Sequence, residues 1–433
     1  MKRGFYTIMS AQFFSSLADN ALFVAAVELL RTEGAPEWQR AALVPMFALF
    51  YVVLAPFVGA FADALPKGKV MFISNAIKVV GCLMMLFGSH PLMAYAVVGL
   101  GAAAYSPAKY GILTELLPAS QLVKANGWIE GLTIASIILG VLFGGQLVGQ
   151  QLSGMLLGFD FPLIDTGVDT PAEAAIAALI AVYALAAWFN TRIPHTGVEM
   201  RPLRADPSRS VLANTLNLLP DFWACNSRLW RDKLGQISLA TTTLFWGAGA
   251  NLKYIVLAWA AAAMAYSTSQ ASALQGVVAI GTAVGAVYAS VKMTLDRATN
   301  VIPLGIGMGL VVILMVFINH LWVAVPFLIL LGALGGYLVV PMNALLQHRG
   351  HMLMGAGRSI AVQNFNEQTA ILAFGGFYAG MTALGLSAYT AITLFGLLVA
   401  GMMYLVRRRH QFNLTHHHAE VDRLLAIARS DKH

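Results

Sequence analysis

A lysine lies within an apolar segment that is long enough to cross a bilayer. It is Lys109, in the stretch YSPAKYGILTELLP. A cation near the middle of a spanning helix costs about 2.5–3.5 kcal/mol, so it normally faces a partner or a wet cavity. Ser106, Lys109 and Tyr110 recur at i, i+3 and i+4, which places hydroxyl, ammonium and phenol on one helix face. We interpret Lys109 as a binding cation; the alternative is that its long stem carries the ammonium to the nearby cytoplasmic interface.

A carboxylate lies inside the first apolar segment, in the stretch AQFFSSLADNALF. Four polar residues recur there at helical spacing as one stripe, with Asn20 beside it: Gln12, Ser15, Ser16 and Asp19. We interpret Asp19 as a cavity carboxylate that binds a substrate ammonium or a proton. The alternative is a structural role, in which a lysine or hydrogen bonds from neighbouring helices neutralise Asp19.

A further cation lies in the second half of the chain, in the stretch LFWGAGANLKYIVLAW. Trp246, Gly249 and Lys253 follow one helix side there at i, i+3 and i+7. If the helices that carry Asp19, Lys109 and Lys253 line one cavity, that cavity holds one anion and two cations. This set suits a zwitterionic or anionic phosphate ester, because a phosphate binds ammonium donors and an amine binds a carboxylate.

Other polar residues within the apolar segments have two open interpretations, as cavity-lining groups or as interhelical hydrogen-bonding groups. These residues are Asn126 and Glu130 in one segment, and Gln363, Asn364, Asn366 and Glu367 in another. Gln363 and Glu367 share a helix face at i, i+4. Lys78, with Asn75 three residues before it, lies in the third segment, and we expect it to be structural.

The composition is that of a polytopic membrane protein. Its 433 residues are 58% hydrophobic and 11% charged, and the mean hydropathy is +0.71, which a water-soluble domain of this size would not tolerate. Apolar runs of about 20 residues predict twelve transmembrane helices. They cover 5–30, 40–63, 69–88, 91–117, 122–149, 171–193, 234–262, 269–291, 300–319, 321–347, 355–383 and 386–406. Without a GxxxxGK[ST] motif in the sequence, we expect no nucleotide and no other cofactor.

The positions of Lys and Arg determine the predicted orientation. With both termini in the cytoplasm, only Arg31 and Arg40 fall in external loops, and the basic linker and tail lie inside. The formal net charge of +7 is therefore concentrated on the inner face. Such a surface fits anionic membrane lipids rather than nucleic acid.

A long polar linker divides the predicted helices into two sets of six. We predict an N-terminal six-helix bundle over 1–193, a cytoplasmic linker over 194–233, a C-terminal six-helix bundle over 234–406 and a basic cytoplasmic tail over 407–433. The second half weakly repeats the first around Pro107 and Pro341. Two pseudo-symmetric six-helix bundles with the binding site between them are the arrangement expected of major-facilitator transporters, so we predict an all-α integral membrane protein of that fold.

The segment GAFADALPKGK, between the second and third predicted helices, resembles the cytoplasmic signature of that superfamily. Its glycine, aspartate and basic residues are Gly59, Asp63, Lys67 and Lys69, and Ala64 stands where the superfamily usually has arginine. We expect a role in conformational gating, because glycine lets two helices approach and an aspartate at a helix end lies beside the basic loop. The alternative is an ordinary charged turn.

Several motifs carry a more specific resemblance: AQFFSSLADNALF, YSPAKYGILTELL, LVKANGWIE, LFWGAGANLKY and VVPMNALLQ, with AVQN following. In these motifs the chain resembles the bacterial lysophospholipid transporters, a family within the major facilitator superfamily of the Gram-negative inner membrane. The resemblance places the head-group residues at Asp19, Asn20, Lys109 and Lys253. Lysine at position 253 departs from the family's arginine, which keeps the charge but gives up the planar bidentate fork.

The resemblance implies a flippase that moves lysophosphatidylethanolamine, lysophosphatidylglycerol and lyso-cardiolipin from the outer to the inner leaflet of the inner membrane. Transport would proceed by alternating access with lateral entry of the lipid. The implied functional partner is a lysophospholipid acyltransferase at the cytoplasmic face, and we expect a monomer.

Three other classes of function are alternatives. His417 and Asp422 reproduce the H-x4-D spacing of glycerolipid acyltransferases, but no domain surrounds them, so we expect no enzyme and no catalytic residues. The three consecutive histidines at 416–418 lack converging ligands, so we expect no metal site. The closer alternative is a proton-coupled major-facilitator exporter or importer of a small amphipathic metabolite or drug. A pH-gradient requirement without a response to lysolipid would favour it. A third alternative is a non-transporting sensor, which is distinguished by whether the purified protein alone moves substrate.

Overall fold

The structure is a computed structural model that describes residues 3–116, 119–158, 167–197, 200, 210–354 and 356–430. Within these ranges the secondary structure is helical and contains no strand. The first helices are α1 Arg3–Thr32, α2 Glu37–Val53, α3 Ala55–Ala64, α4 Lys67–Leu86, α5 Pro91–Leu116, α6 Ala119–Val148, α7 Gln150–Leu157 and α8 Pro171–Thr191.

The second part of the chain continues the same pattern. Its helices are α9 Val211–Leu216, α10 Leu218–Arg231, α11 Gly235–Met264, α12 Thr268–Lys292, α13 Ile302–Leu314, α14 Leu321–Met354, α15 Ala356–Ala383, α16 Ala388–His416 and α17 His418–Ser430. Short 3₁₀ helices over Leu295–Val301 and Met315–Phe317 flank α13.

Each of the twelve predicted spans falls on one of these helices or on a consecutive pair. By length and hydropathy, seven helices in the described part of the chain qualify as membrane crossings. The count is eight if α6 and α7, bent by 62° at their junction, form one crossing. The total number of crossings and the side of the termini stay predictions.

The chain folds into two compact units. The N-terminal unit comprises residues 1–218 and 266–276, and the C-terminal unit comprises 219–265 and 277–433. The boundary passes through α12, whose first turns belong to the N-terminal unit. Arg31 of α1 connects the N-terminal unit to the first turn of α12, since its Nη1 donates to Thr268 Oγ1 at 3.2 Å.

In the N-terminal unit, α1 packs against α6 and α8, and α4 packs against α5 and α8. Phe5 and Ile8 of α1 share one buried apolar cluster with Ala108 and Ile112 of α5. Gly144 lets α6 approach α1 closely, because a Cβ at that position would lie 2.7 Å from the carbonyl oxygen of Ala21. The close approach holds the polar stripe of α1 in a fixed register among its neighbours.

In the C-terminal unit, α11 packs against α14, α15 and α16, and α13 packs against α16. A buried ion pair joins α14 to the start of α11: Arg349 Nη2 lies 2.6 Å from Asp232 Oδ2, with side chains 5% and 7% exposed. Asp232 Oδ1 also accepts hydrogen bonds from the backbone N–H groups of Leu234 (3.2 Å) and Gly235 (2.7 Å). One carboxylate therefore binds the cation and also accepts from two backbone N–H groups at the beginning of α11.

The outer faces of several long helices are apolar. Large side chains such as Val287 of α12, Leu310 of α13 and Leu405 of α16 are exposed. A helix whose backbone groups bond internally and whose outer side chains are apolar is the arrangement that lipid requires. These faces are the expected lipid-contacting surface.

Candidate functional site

A buried ion pair between two long helices forms the centre of the candidate site. Lys78 of α4 places its Nζ 2.8 Å from Oδ2 of Asp19 on α1. The Lys78 side chain is 1% exposed and that of Asp19 is 21% exposed. Tyr183 of α8 donates its hydroxyl to the other carboxylate oxygen, Oδ1, at 2.7 Å. Both oxygens of Asp19 thus have partners, and Asp19 is the more solvent-accessible member of the pair.

The Lys78 ammonium has further partners from neighbouring helices. It donates to Ser15 Oγ at 3.0 Å, and Ser15 donates to Asn75 Oδ1 at 2.8 Å. The ammonium also lies over the rings of Tyr105 and Tyr183, 5.1 and 5.6 Å from their centroids. A buried lysine keeps its charge only when such partners compensate for the lost hydration. Helices α1, α4, α5 and α8 together supply that compensation.

A glycine allows the Lys78 stem to reach this position. A Cβ at Gly101 of α5 would lie 2.7 Å from Lys78 Cγ and 2.6 Å from the carbonyl oxygen of Ser74. Any larger residue at position 101 therefore has to push α5 away from α4 or move the lysine. The small residue at position 101 fixes the distance between these two helices.

Two donors beside the ion pair are buried without a hydrogen-bond partner in the part of the chain that the structure describes. They are Nδ2 of Asn75 and Oη of Tyr105. An unsatisfied buried donor costs about 1–3 kcal/mol, so each of these groups calls for a partner such as a ligand or an ordered water. Both donors suit an oxygen-rich ligand such as a phosphate.

The predicted residues Lys109, Ser106 and Asn20 also lie in the N-terminal unit. Lys109 and Ser106 are half-buried on α5. Lys109 stands at i+4 from Tyr105, so the two share a helix face about 6 Å apart along the axis. Asn20 is buried, and its Nδ2 donates to the carbonyl oxygen of Ser16 one turn earlier. By this spacing we expect Lys109 on the same side of α5 as Tyr105.

The predicted residues Trp246 and Lys253 lie on α11 of the C-terminal unit. Trp246 is 39% exposed and Lys253 is half-buried. Between them, Asn251 is buried and donates to the carbonyl oxygens of Gly247 at 2.7 Å and Ile371 at 3.2 Å. This amide links α11 to α15.

The polar residues of α15 form hydrogen bonds between helices. Gln363 Nε2 donates to Glu367 Oε1 at 2.8 Å on the same helix and to Asn343 Oδ1 of α14 at 2.6 Å. Glu367 is buried and Asn364 is half-buried. The bond from Gln363 to Asn343 joins α15 to α14, as expected if these polar residues serve helix packing. A substrate-binding role of Asn364 and Glu367 stays a prediction.

The family of the chain follows from its similarity to known proteins. The model of the Major Facilitator Superfamily matches residues 8–366. The chain belongs to the major facilitator superfamily. The predicted all-α fold of this superfamily is confirmed, and the chain is a multi-pass membrane transporter.

Two curated relatives of this major facilitator carry the same name. A "Lysophospholipid transporter LplT" of Yersinia enterocolitica is 41% identical over 386 residues, which cover 89% of this chain and 89% of the relative. A protein of the same name from Yersinia pestis is 40% identical over 386 residues, covering 89% and 88%. These relatives confirm the resemblance inferred from the motifs, and the family and the relatives are transporters rather than enzymes.

Solved structures agree on the fold. The nucleoside transporter NupG superposes with a TM-score of 0.67 at 14% identity, covering 94% of this chain and 99% of that one. An inward-facing bacterial homologue of the human lysosomal transporter Spinster gives a TM-score of 0.58 at 17% identity, covering 99% and 96%. At these identities the likeness concerns the fold alone.

The structure describes part of the segment that resembles the superfamily's cytoplasmic signature. Lys67 is buried and donates through Nζ to the carbonyl oxygen of Ala62 at 2.7 Å, so the start of α4 is tied to the end of α3. Lys69 is exposed. The gating role predicted for these residues stays a prediction. Five predicted site residues lie outside the residues whose side chains the structure describes: Gly59, Asp63, Tyr110, Asn126 and Glu130.

The histidines of the tail form a local contact. His418 Nδ1 lies 2.6 Å from Asp422 Oδ2 at i, i+4 on α17, and both side chains are largely exposed. His417, the histidine of the H-x4-D spacing, precedes this helix. Among the residues that the structure describes, no cluster of three or more His, Cys, Asp or Glu side chains is arranged to hold a metal ion.

Sequence reasoning did not select Lys78 and Tyr183 for the site. A signal for the pairing exists: Ser15 and Asp19 stand at i, i+4 on α1, and Asn75 and Lys78 stand at i, i+3 on α4. Polar pairs about one turn apart in two separate apolar helices indicate polar faces that are able to bond to each other. The contribution of Tyr183 has no such signal, because a tyrosine is common in an apolar helix.

Proposed function

We propose that this chain is a lysophospholipid transporter that moves lysophosphatidylethanolamine, lysophosphatidylglycerol and lyso-cardiolipin from the outer to the inner leaflet of the bacterial inner membrane. The observation that carries the proposal is the 40–41% identity to the two Yersinia lysophospholipid transporters across 89% of the chain. The chemistry of the intramembrane charges agrees with it, because ammonium groups within apolar helices suit a phosphate that enters the membrane.

The head group and the acyl chain of the substrate require different surroundings in the protein. Lys109 binds the phosphate of the head group, and the unsatisfied donors of Asn75 and Tyr105 add hydrogen bonds to its oxygens. The acyl chain stays against the apolar helix faces and never leaves a lipid-like environment. We propose lateral entry of the lipid and alternating access, with the chain acting as a monomer.

We propose that an acyltransferase at the cytoplasmic face consumes the lysolipid after it reaches the inner leaflet. This reaction removes the transported species, so net inward movement needs no nucleotide bound to the transporter. In cells that lack the chain, externally added lysolipid should no longer be converted to diacyl lipid. Conversion that continues at the normal rate in those cells would contradict the proposal.

Purified protein in vesicles tests the transport itself. We expect vesicles that contain the chain to move radiolabelled lysophosphatidylethanolamine between leaflets at a rate well above protein-free vesicles, with or without a proton gradient. The same vesicles with an unrelated membrane protein serve as the control. A requirement for the proton gradient, together with no response to lysolipid, would instead identify a proton-coupled carrier of another amphipathic compound.

We also propose that α10 rests on anionic lipid at the cytoplasmic surface. Its Trp223 and Trp230 are 50% and 39% exposed, and two arginines, Arg228 and Arg231, stand in its last turn. Trp230 Nε1 donates to Asn366 Oδ1 of α15 at 3.0 Å, which fixes the helix to the C-terminal unit. Exposed indoles together with arginines are typical of helices that lie in the membrane interface.

Vesicle composition tests this contact. We expect transport to be faster in vesicles that contain phosphatidylglycerol than in pure phosphatidylcholine, and the double substitution Trp223→Ser, Arg231→Gln to remove most of that difference. Trp322→Ser is the matched control, since Trp322 is 86% exposed at the start of α14. An equal dependence on phosphatidylglycerol in the double variant would show that α10 does not make the contact.

A further inference from the structure

The ion pair changes what Asp19 is able to bind. The Lys78 ammonium occupies Asp19 Oδ2 at 2.8 Å, and the Tyr183 hydroxyl occupies Oδ1 at 2.7 Å. The pair as a whole carries no net charge. A substrate amine therefore meets a carboxylate that is already neutralised and hydrogen-bonded on both oxygens.

The Lys78 side chain carries the same chemical group as the substrate amine whose place it takes at Asp19. The ammonium of Lys78 and the ammonium of an ethanolamine head group are the same type of donor for a carboxylate. Lys78 has three advantages over a diffusing amine: it is attached to α4, it also donates to Ser15, and it lies over two aromatic rings. An ethanolamine head group has to displace it in order to reach Asp19 Oδ2.

We propose that Lys78 is a specificity-determining residue that stands in for the substrate ammonium and so lets the site accept lysolipids with or without an amine. The proposal rests on the proposed function and assigns its head-group selectivity. With Asp19 neutralised from within, recognition depends on the phosphate, which ethanolamine and glycerol head groups share. Without Lys78, the carboxylate is released: it attracts a cationic amine and repels an anionic head group.

Two variants test this assignment. Lys78→Gln removes the charge but keeps an amide donor for Ser15, and Asp19→Asn combined with Lys78→Gln removes both charges of the pair. The measurement is the ratio of lysophosphatidylethanolamine to lysophosphatidylglycerol transport in vesicles. We expect this ratio to rise by about tenfold or more in Lys78→Gln, since one additional favourable charge contact of moderate strength changes an affinity by that factor. We expect the double variant to return to the ratio of the unaltered protein.

The control is Lys292→Gln, which removes an exposed lysine at the end of α12 and should leave the ratio unchanged. An unchanged ratio in Lys78→Gln would overturn the proposal, because a purely structural lysine alters the amount of folded protein and not the preference between head groups. If Lys78→Gln does not fold, the double variant decides: a selective loss of lysophosphatidylethanolamine transport would show that Asp19 binds the amine directly and would also overturn the proposal.

The same measurements distinguish a failure of the proposed function from a failure of the inference about Lys78. If the unaltered protein moves neither lysolipid, the function itself is wrong. If it moves both lysolipids and the two variants keep its ratio, the function stands and the role of Lys78 is refuted.

Discussion

Lys109→Ala is expected to lower lysolipid transport in vesicles by about 10- to 100-fold. The ammonium stands on a half-buried face of α5, and the proposed bond from it to the substrate phosphate would be charge-assisted and poorly screened by water. Hydrogen bonds to charged groups contribute about 1.5–3 kcal/mol, which gives this range. Lys109→Arg keeps the charge and should retain a substantial part of the rate. Initial rates with lysophosphatidylethanolamine, corrected for the amount of folded protein, are the measurement.

Lys253→Ala provides the second arm of the same experiment. This cation belongs to the C-terminal unit and was assigned to the head group by resemblance, so its loss should also slow transport. Lys292→Ala, which removes an exposed lysine, is the control that should behave like the unaltered protein. If Lys109→Ala and Lys253→Ala both leave uptake unchanged, the proposed head-group site is wrong.

Arg349→Met is expected to destabilise the protein more than any exposed substitution. It leaves the carboxylate of Asp232 buried without the cation that lies 2.6 Å away, and removal of one partner of a buried pair costs about 3–5 kcal/mol. Asp232 also caps the start of α11, the helix that carries Lys253, so the loss should lower the melting temperature in detergent and reduce transport.

A second ion pair in the same chain supplies the comparison. His418 and Asp422 form a 2.6 Å contact, but their side chains are 71% and 57% exposed. Exposed pairs contribute about 0–1 kcal/mol, so Asp422→Asn should leave the melting temperature nearly unchanged. Equal melting temperatures for Arg349→Met and Asp422→Asn would contradict the assignment of Asp232–Arg349 as a stabilising buried pair.

Much of the fold was predictable because the formation of a membrane helix depends on the residues of its own segment. A segment of about 20 apolar residues must form a helix to satisfy its own backbone in lipid, whatever its neighbours are. The twelve predicted spans accordingly fall on helices, although the break between α2 and α3 and the bend between α6 and α7 were not predicted. Helices α9 and α10, within the predicted linker, were also missed, since the linker was taken from its polar composition alone.

The charged residues of the candidate site were predictable, but the ion pair that two of its side chains form was not. A charge within an apolar run is visible in the sequence, so Asp19, Lys109 and Lys253 were selected without a structure. The partner of Asp19 was not selected, because Lys78 is 59 residues away and the polar pairs on α1 and α4 meet only through the way both helices pack against α8. Similarly, the role of Gly101 appears only when α4 lies against α5.

By itself, the sequence determined that this protein is a helical membrane transporter of the major facilitator superfamily with charged residues inside its helices. These properties follow from the composition of each segment and from motifs that resemble those of the family. Only the tertiary structure decided that the Asp19 carboxylate is neutralised by Lys78 and hydrogen-bonded by Tyr183. The physical reason is that the partner of a buried charge is set by helix packing over long sequence separations, whereas helix formation in lipid is set by the segment alone.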